Sequence, residues 1–224
     1  LSIYLVGHRS HQTINYDDHF SLELEAEDFV APRFIEIDHT KPNRIALGLN
    51  SDHYQVLPKA FPTRRSFDVL IEPIAKLMEA WSDGICWLDE KENRWVWLDN
   101  EMEENGVFRA QSSGGGSSAL VFDHEAPRIE RLSIFHDQVI TDPTPLVSFV
   151  IEDTLSGIGD DRDILIKLDG EWLIPEYDPE TKKVVSRPLE PISKGRHHLA
   201  IEVTDRAGKK TEQYLQFTVS STRK

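Results

Sequence analysis

The chain has 224 residues, 39% of them hydrophobic and 29% charged, which describes a folded globular protein and excludes a disordered one. With 39 acidic side chains against 25 basic ones the formal net charge is −14, so a nucleic-acid backbone or an anionic membrane surface is repelled over most of the protein. Its one cysteine rules out an internal disulfide and a cysteine-built zinc or iron–sulfur centre, and no apolar stretch reaches the roughly 18 residues of a membrane-spanning helix.

A chain of this length suits two sandwiches of roughly 100 to 120 residues each. It opens on Leu1 inside an apolar, strand-like run ending at Val6, with no signal-peptide pattern ahead of it; a piece excised or processed from something longer is expected. The densest set of potential metal ligands follows: His8, His11, Asp17, Asp18 and His19. His8 and His11 have the spacing that brings two imidazoles together on a helix, but Gly7, Ser10 and Asn15 favour strand and loop, so a surface turn is expected.

From Phe20 the pattern becomes regular. Phe20, Leu22 and Leu24 alternate with Ser21, Glu23 and Glu25, and further strands are predicted at 33–37, 45–49, 54–57 and 66–71, with turns at 41–43 and 50–52. One short helix is predicted over 74–81, where Ile74, Leu77, Met78 and Trp81 recur at helical spacing. Two strands, 84–89 and 94–99, then flank the four-residue connection Glu90–Asn93. Cys86 lies within the first and reads as a small buried hydrophobe. Trp87, Trp95 and Trp97 make this stretch rich in aromatics; Trp95 and Trp97 share one face with Trp87 on the neighbouring strand, a core-packing arrangement first and a sugar-stacking platform second.

The Ser-Gly-rich run 112–118 reads as a loop inside the first domain, because the apolar strand 119–122 follows at once. It lacks the lysine and helix start of a phosphate-binding loop. A polar, proline-ended step at 123–127 marks the boundary, giving domains 1–124 and 125–224. Strands are predicted in the second near 128–135, 146–152, 163–168, 171–174, 184–187, 196–204 and 211–219. About seven strands in so few residues describe an immunoglobulin-like sandwich. Asp169-Gly170 is a two-residue hairpin turn, and the Asp205–Gly208 turn closes the last hairpin with a glycine in the left-handed position. Asp153, Asp160, Asp161 and Asp163 cluster around two glycines in a loop where calcium is one reading and turn capping the plainer one. His197 and His198 are adjacent on a strand and point to opposite faces, which argues against joint ligation.

The expectation is thus an all-β chain of two β-sandwich domains with no catalytic constellation, no metal and no cofactor. The passages 84–98 and 117–129, with the turn motifs of 153–157, 168–170, 177–181 and 195–208, resemble the non-catalytic β-sandwich regions beside the zinc peptidase domain of bacterial lysostaphin-type cell-wall metallopeptidases. The resemblance covers about Phe20 to Val219. It implies export to the periplasm or cell surface, and a peptidase domain or cell-wall component as partner. The family's metal is held through HxxxD and HxH motifs; here His8-Arg-Ser-His11 is too short for the first, and His197-His198 lacks the residue between. A non-catalytic accessory or binding module of an envelope protein is the leading reading. The second is a carbohydrate-binding or adhesive module using Trp87, Trp95 and Trp97. The third is a small metalloenzyme on the N-terminal histidines.

Overall fold

The structure, a computed structural model, describes residues 1–42, 48–74 and 82–221. It divides into two compact units, Leu1–Asp123 and His124–Lys224, one residue short of the boundary predicted from sequence. Both are all-β sandwiches, the second immunoglobulin-like, and strands dominate the described residues.

The first unit contains β1 (Ser2–Val6), β2 (His11–Asn15), β3 (Phe20–Glu25), β4 (Arg33–Thr40), β5 (His53–Leu57) and β6 (Phe67–Ile71). It continues with β7 (Asp83–Asp89), β8 (Arg94–Trp97), β9 (Asn100–Met102), β10 (Phe108–Ser112) and β11 (Gly116–Phe122). Six of these form a sheet in the order β1-β4-β5-β11-β7-β8, and five form a sheet in the order β2-β3-β6-β10-β9. Period-two alternation puts Ile35, Ile37, Tyr54, Val56, Ile85 and Leu120 of the first sheet into one core with Phe20, Leu22, Leu24, Phe67, Val69 and Phe108 of the second. Burying each such side chain stabilises the fold by about 1.5–3 kcal/mol.

The second unit carries β12 (Arg128–Glu130), β13 (Gln138–Ile140), β14 (Val147–Glu152), β15 (Ile164–Leu168) and β16 (Glu171–Leu173). After them come β17 (Glu176–Asp178), β18 (Lys183–Ser186), β19 (Gly195–Thr204) and β20 (Lys210–Val219). Its sheets run β12-β14-β18-β17 and β13-β20-β19-β15-β16, antiparallel except for the β13–β20 pair. Phe149, Ile151, Ile166, Ile201, Val203 and Phe217 fill the space between them. Asp169 (φ 52°) and Gly170 (φ 91°) both take the left-handed conformation in the β15–β16 hairpin, the type I′ signature.

Differences from the sequence reading fall on short or polar segments. The expected turn around His11 contains strand β2, paired with β3 from His11↔Glu25 to Asn15↔Ser21. β9, β10, β13 and β17 were not predicted. The strand foreseen over 128–135 stops at Glu130, because Arg131 turns to φ 54°. Of the predicted strand 45–49, residues 45–47 lie outside the described residues, and so do 75–81, which hold most of the predicted helix and Trp81.

Candidate functional site

The three tryptophans of the β7–β8 hairpin are not one platform. The register pairs Trp87 with Val96, Leu88 with Trp95 and Cys86 with Trp97. Directly opposed residues of an antiparallel pair share a face, so Trp87 lies on one side of the sheet and Trp95 and Trp97 on the other. Trp97 is buried over Gly84, where a Cβ would fall 2.2 Å from the indole ring, so only glycine fits beneath it. Trp95 is half-buried and stands edge-on to His53, with ring centroids 5.6 Å apart. The shared platform is therefore dismantled, and Trp87 is left as the single candidate.

Trp87 shares the core-facing side of β7 with Ile85, but sits where the inter-sheet space opens to solvent, and 38% of it is exposed. There it lines a cleft of about 580 Å³. Lys59–Pro62, in the β5–β6 loop, form one wall with Phe61 as its apolar element; Leu98 and the run Gln111–Gly115 complete it. Gly115 and the neighbouring Gly116 are required by close approach. A Cβ on Gly115 would lie 2.2 Å from the Pro58 carbonyl oxygen and 2.5 Å from that of Val56. At Gly116 (φ +134°) it would lie 2.5 Å from the Trp87 indole nitrogen. The Ser-Gly-rich segment is thus an ordered wall pressed against the β5–β6 loop, held further by the Thr63 hydroxyl donating to the Ser113 carbonyl at 2.8 Å. At the rim, Lys59 Nζ donates to both oxygens of Glu90 at 2.5 Å. The cleft combines an indole surface, an apolar ring, the Ser113 hydroxyl and the Ser112 hydroxyl, which donates to the Gly114 carbonyl at 2.9 Å. Its volume is in the range of small-molecule sites.

The N-terminal histidines are not assembled into a centre. His11 Nδ1 faces Glu25 Oε1 at 2.9 Å and its Nε2 faces the Thr13 hydroxyl at 3.3 Å, while His8 is exposed. Asp17 caps the β2–β3 turn, accepting from the backbone N–H groups of His19 and Phe20 at 2.8 Å. Among the described residues, none of His8, His11, Asp17, Asp18 and His19 joins a group of three potential ligands.

The acidic loop of the second unit divides its carboxylates among local duties. Asp153 Oδ1 accepts from the Leu155 and Gly157 amides. Asp163 Oδ2 accepts from those of Gly159 and Asp160. Asp160 is forked onto Arg162, whose hydrogen bonds hold its carboxyl down to about 2. Within this unit, a carboxylate oxygen of Asp205, from the β19–β20 turn 52 residues further along the chain, lies within 4.8 Å of one of Asp153. Sequence spacing gave no sign of that pairing.

Other titratable groups serve the framework. The thiol of Cys86 is fully buried and pushed upward by desolvation, with Asp123 adding to it, so it remains a protonated core group as expected. Arg109 on β10 binds three carboxylates, Glu23 at 2.7 Å, Asp68 at 2.6 Å and Glu103 at 2.7 Å, across the outer face of the five-stranded sheet. His197 is buried on β19 while His198 is exposed, the opposition predicted from the strand period. Its Nδ1 meets Asp169 Oδ2 at 2.6 Å and its Nε2 meets the Ser193 carbonyl at 2.8 Å. Sequence reading missed one further polar cluster. Tyr16 and His39 Nδ1 are 2.9 Å apart beside the fully buried Tyr54, whose hydroxyl burial shifts upward.

No protein-family model matches this sequence, and no curated protein matches it. Among solved structures, CopC from Methylosinus trichosporium OB3b is 14% identical, with a TM-score of 0.35, over 44% of this chain and 97% of that one. The extracellular domain of the putative one component system BT4673 from B. thetaiotaomicron is 12% identical, with a TM-score of 0.29. That match covers 97% of this chain but only 31% of the other. Likenesses this slight carry none of those proteins' properties to this chain. No helix among the described residues is long and apolar enough to cross a membrane.

Proposed function

We propose that this chain is a non-catalytic binding module of an exported bacterial cell-envelope protein, acting beside a peptidase domain of the same protein or on the cell wall itself, with the cleft at Trp87 as its recognition site. The observation that carries the reading is the half-exposed indole, fixed between two sheets at the open end of a sandwich. A large aromatic surface left in water while its neighbours are buried is where a sandwich binds, because its faces are committed to the core and its loops meet at the ends.

The engagement of the strongest acids and bases in framework contacts supports the non-catalytic part. Arg109, His197 and Asp160 are each held by specific partners, and the Cys86 thiol is sealed in the core. The motifs shared with cell-wall peptidase accessory regions support the envelope context.

Co-sedimentation of the full chain with purified bacterial sacculi tests this. The wild type is expected in the pellet and Trp87→Ala in the supernatant, with Tyr214→Ala, an exposed aromatic of the other unit, pelleting like the wild type. Equal sedimentation of the Trp87 variant, or no sedimentation by any of the three, overturns the assignment. Release of new amino groups or reducing ends from the sacculi would show the chain to be an enzyme.

A further inference from the structure

Resting on the reading of the Trp87 cleft as a binding site, we infer that its ligand is a short neutral saccharide, one pyranose ring lying on the indole and its hydroxyl groups bonded to the serine-rich wall. Four features of the cleft select this chemistry.

First, the indole is preorganised. Its nitrogen edge is pressed against Gly116 so closely that a methyl group could not stand between them, at 2.5 Å. An aromatic surface held this way loses little freedom when a ligand settles on it. Second, the lining is mixed. Phe61, Leu98 and the indole are apolar, whereas Ser113 offers a hydroxyl and Ser112 one that donates to the Gly114 carbonyl and can still accept. A wholly apolar ligand would strand those polar groups without water, which is unfavourable. A pyranose has an apolar C–H face and a rim of hydroxyls, and so matches both halves.

Third, the cleft has no uncompensated charge to offer. Lys59 is its one charged wall residue, and both oxygens of Glu90 already accept from that ammonium at 2.5 Å. An anionic ligand would have to break this pair, on a chain whose formal net charge is −14. Fourth, the cleft opens to solvent where the sheets part, so a sugar at the end of a longer glycan can enter with the rest of the chain outside.

Isothermal titration of the full chain with cellotetraose, chitotetraose, tetragalacturonate and a blocked aromatic tetrapeptide tests the assignment. At least one neutral tetramer is expected to bind, and tetragalacturonate and the peptide more weakly or not at all. Trp87→Ala should weaken the neutral tetramer about tenfold or more, the usual loss for an aromatic anchor. Trp87→Phe, which keeps a flat ring, should recover part of that, and Trp95→Ala, on the other face, should change nothing. Should Trp87→Ala lose its folded circular-dichroism spectrum, Ser113→Ala carries the test, since it alters an exposed side chain outside the core; it should weaken binding several-fold.

Failure of both neutral tetramers, tighter binding of tetragalacturonate or the peptide, or full affinity in the Trp87 and Ser113 variants overturns the saccharide assignment. If that happens while sacculus binding still depends on Trp87, the cleft stands as a site for another ligand. If sacculus binding is also indifferent to Trp87, both readings fall together.

Discussion

Asp169→Asn isolates one charge in the second unit. His197 is 4% exposed, and both ring nitrogens face oxygens, Asp169 Oδ2 at 2.6 Å and the Ser193 carbonyl at 2.8 Å. A neutral imidazole would set a lone pair against one of them, whereas the protonated ring donates to both. Burial pulls the ring's pKa down, but the hydrogen bond to Asp169, that to Ser193 and the carboxylate charge together outweigh it and raise the pKa. At Asp169, burial pushes upward and is outweighed by the hydrogen bonds from His197 and the His198 amide, so the carboxyl is lowered. The carboxylate's contribution is present above its unfolded pKa of about 3.9 and fades as pH falls through the lower folded value. The histidine's is complete below about 6.5 and lost as pH rises through the raised folded value. The pair therefore stabilises most near pH 5.5, between those limits.

Asparagine is the informative replacement because position 169 has φ 52°, a conformation it tolerates, and its oxygen can still accept from the His198 amide. Its new N–H group can donate to a neutral His197, whose other nitrogen then donates to Ser193. A charge-assisted hydrogen bond contributes about 1.5–3 kcal/mol, and because 44% of the Asp169 side chain is exposed, screening favours about 2. The second unit should therefore lose about 2 kcal/mol near pH 5.5, or about 10 °C in melting temperature for a domain of this size. Toward pH 9, as the ring passes its raised pKa and loses its proton, the two proteins should converge. Differential scanning calorimetry of the full chain at the two pH values reads this directly. An equal loss at both, or one larger at pH 9, would refute the argument that the protonated ring holds the turn.

Two predictions concern the first unit. Gly115→Ala places a methyl against two backbone carbonyls and should lower stability by about 2 kcal/mol or more, whereas Gly106→Ala, in open space at φ +89°, should lose only about 1 kcal/mol; urea midpoints compare them. Arg109→Met leaves Glu23, Asp68 and Glu103 without their shared cation, each about a third exposed, and should destabilise the unit by about 2 kcal/mol. Part of this should return in molar salt, which screens the carboxylate repulsion, and a loss indifferent to salt would point to lost packing instead.

Where the chain alternates cleanly, fold and sequence agree. β3, β14, β19 and β20 were legible because their buried residues recur every second position over six to ten residues, and the last two also flank an Asp-to-Gly turn. β9 and β13 are three residues each and fully bury no side chain, so neither offers a period to read. β10 buries only Phe108 and Ala110, and exists as a strand because β6 and β9 pair with it from either side. No local propensity records that. Long-range convergence was equally hidden: Asp205 against Asp153, Asp169 against His197, and the approach of Gly115 to Pro58 all join residues far apart in the chain.

The tryptophan faces were different, since the information was present. The four-residue connection Glu90–Asn93 fixes Asp89 opposite Arg94, so every odd-numbered residue of β7 meets an even-numbered one of β8. Trp87 must then share a face with Val96 and not with Trp95 or Trp97. A hairpin of either one more or one fewer residue would have reversed this and built the shared aromatic surface. Parity therefore separates Trp87 from the other two, and the opening between the sheets, which parity cannot supply, leaves its indole partly in water. A one-residue deletion in the Glu90–Asn93 turn that kept a four-residue connection would draw Arg94 into it, pair Asp89 with Trp95 and set Trp97 opposite Trp87, at the expense of the packing of Trp97 over Gly84.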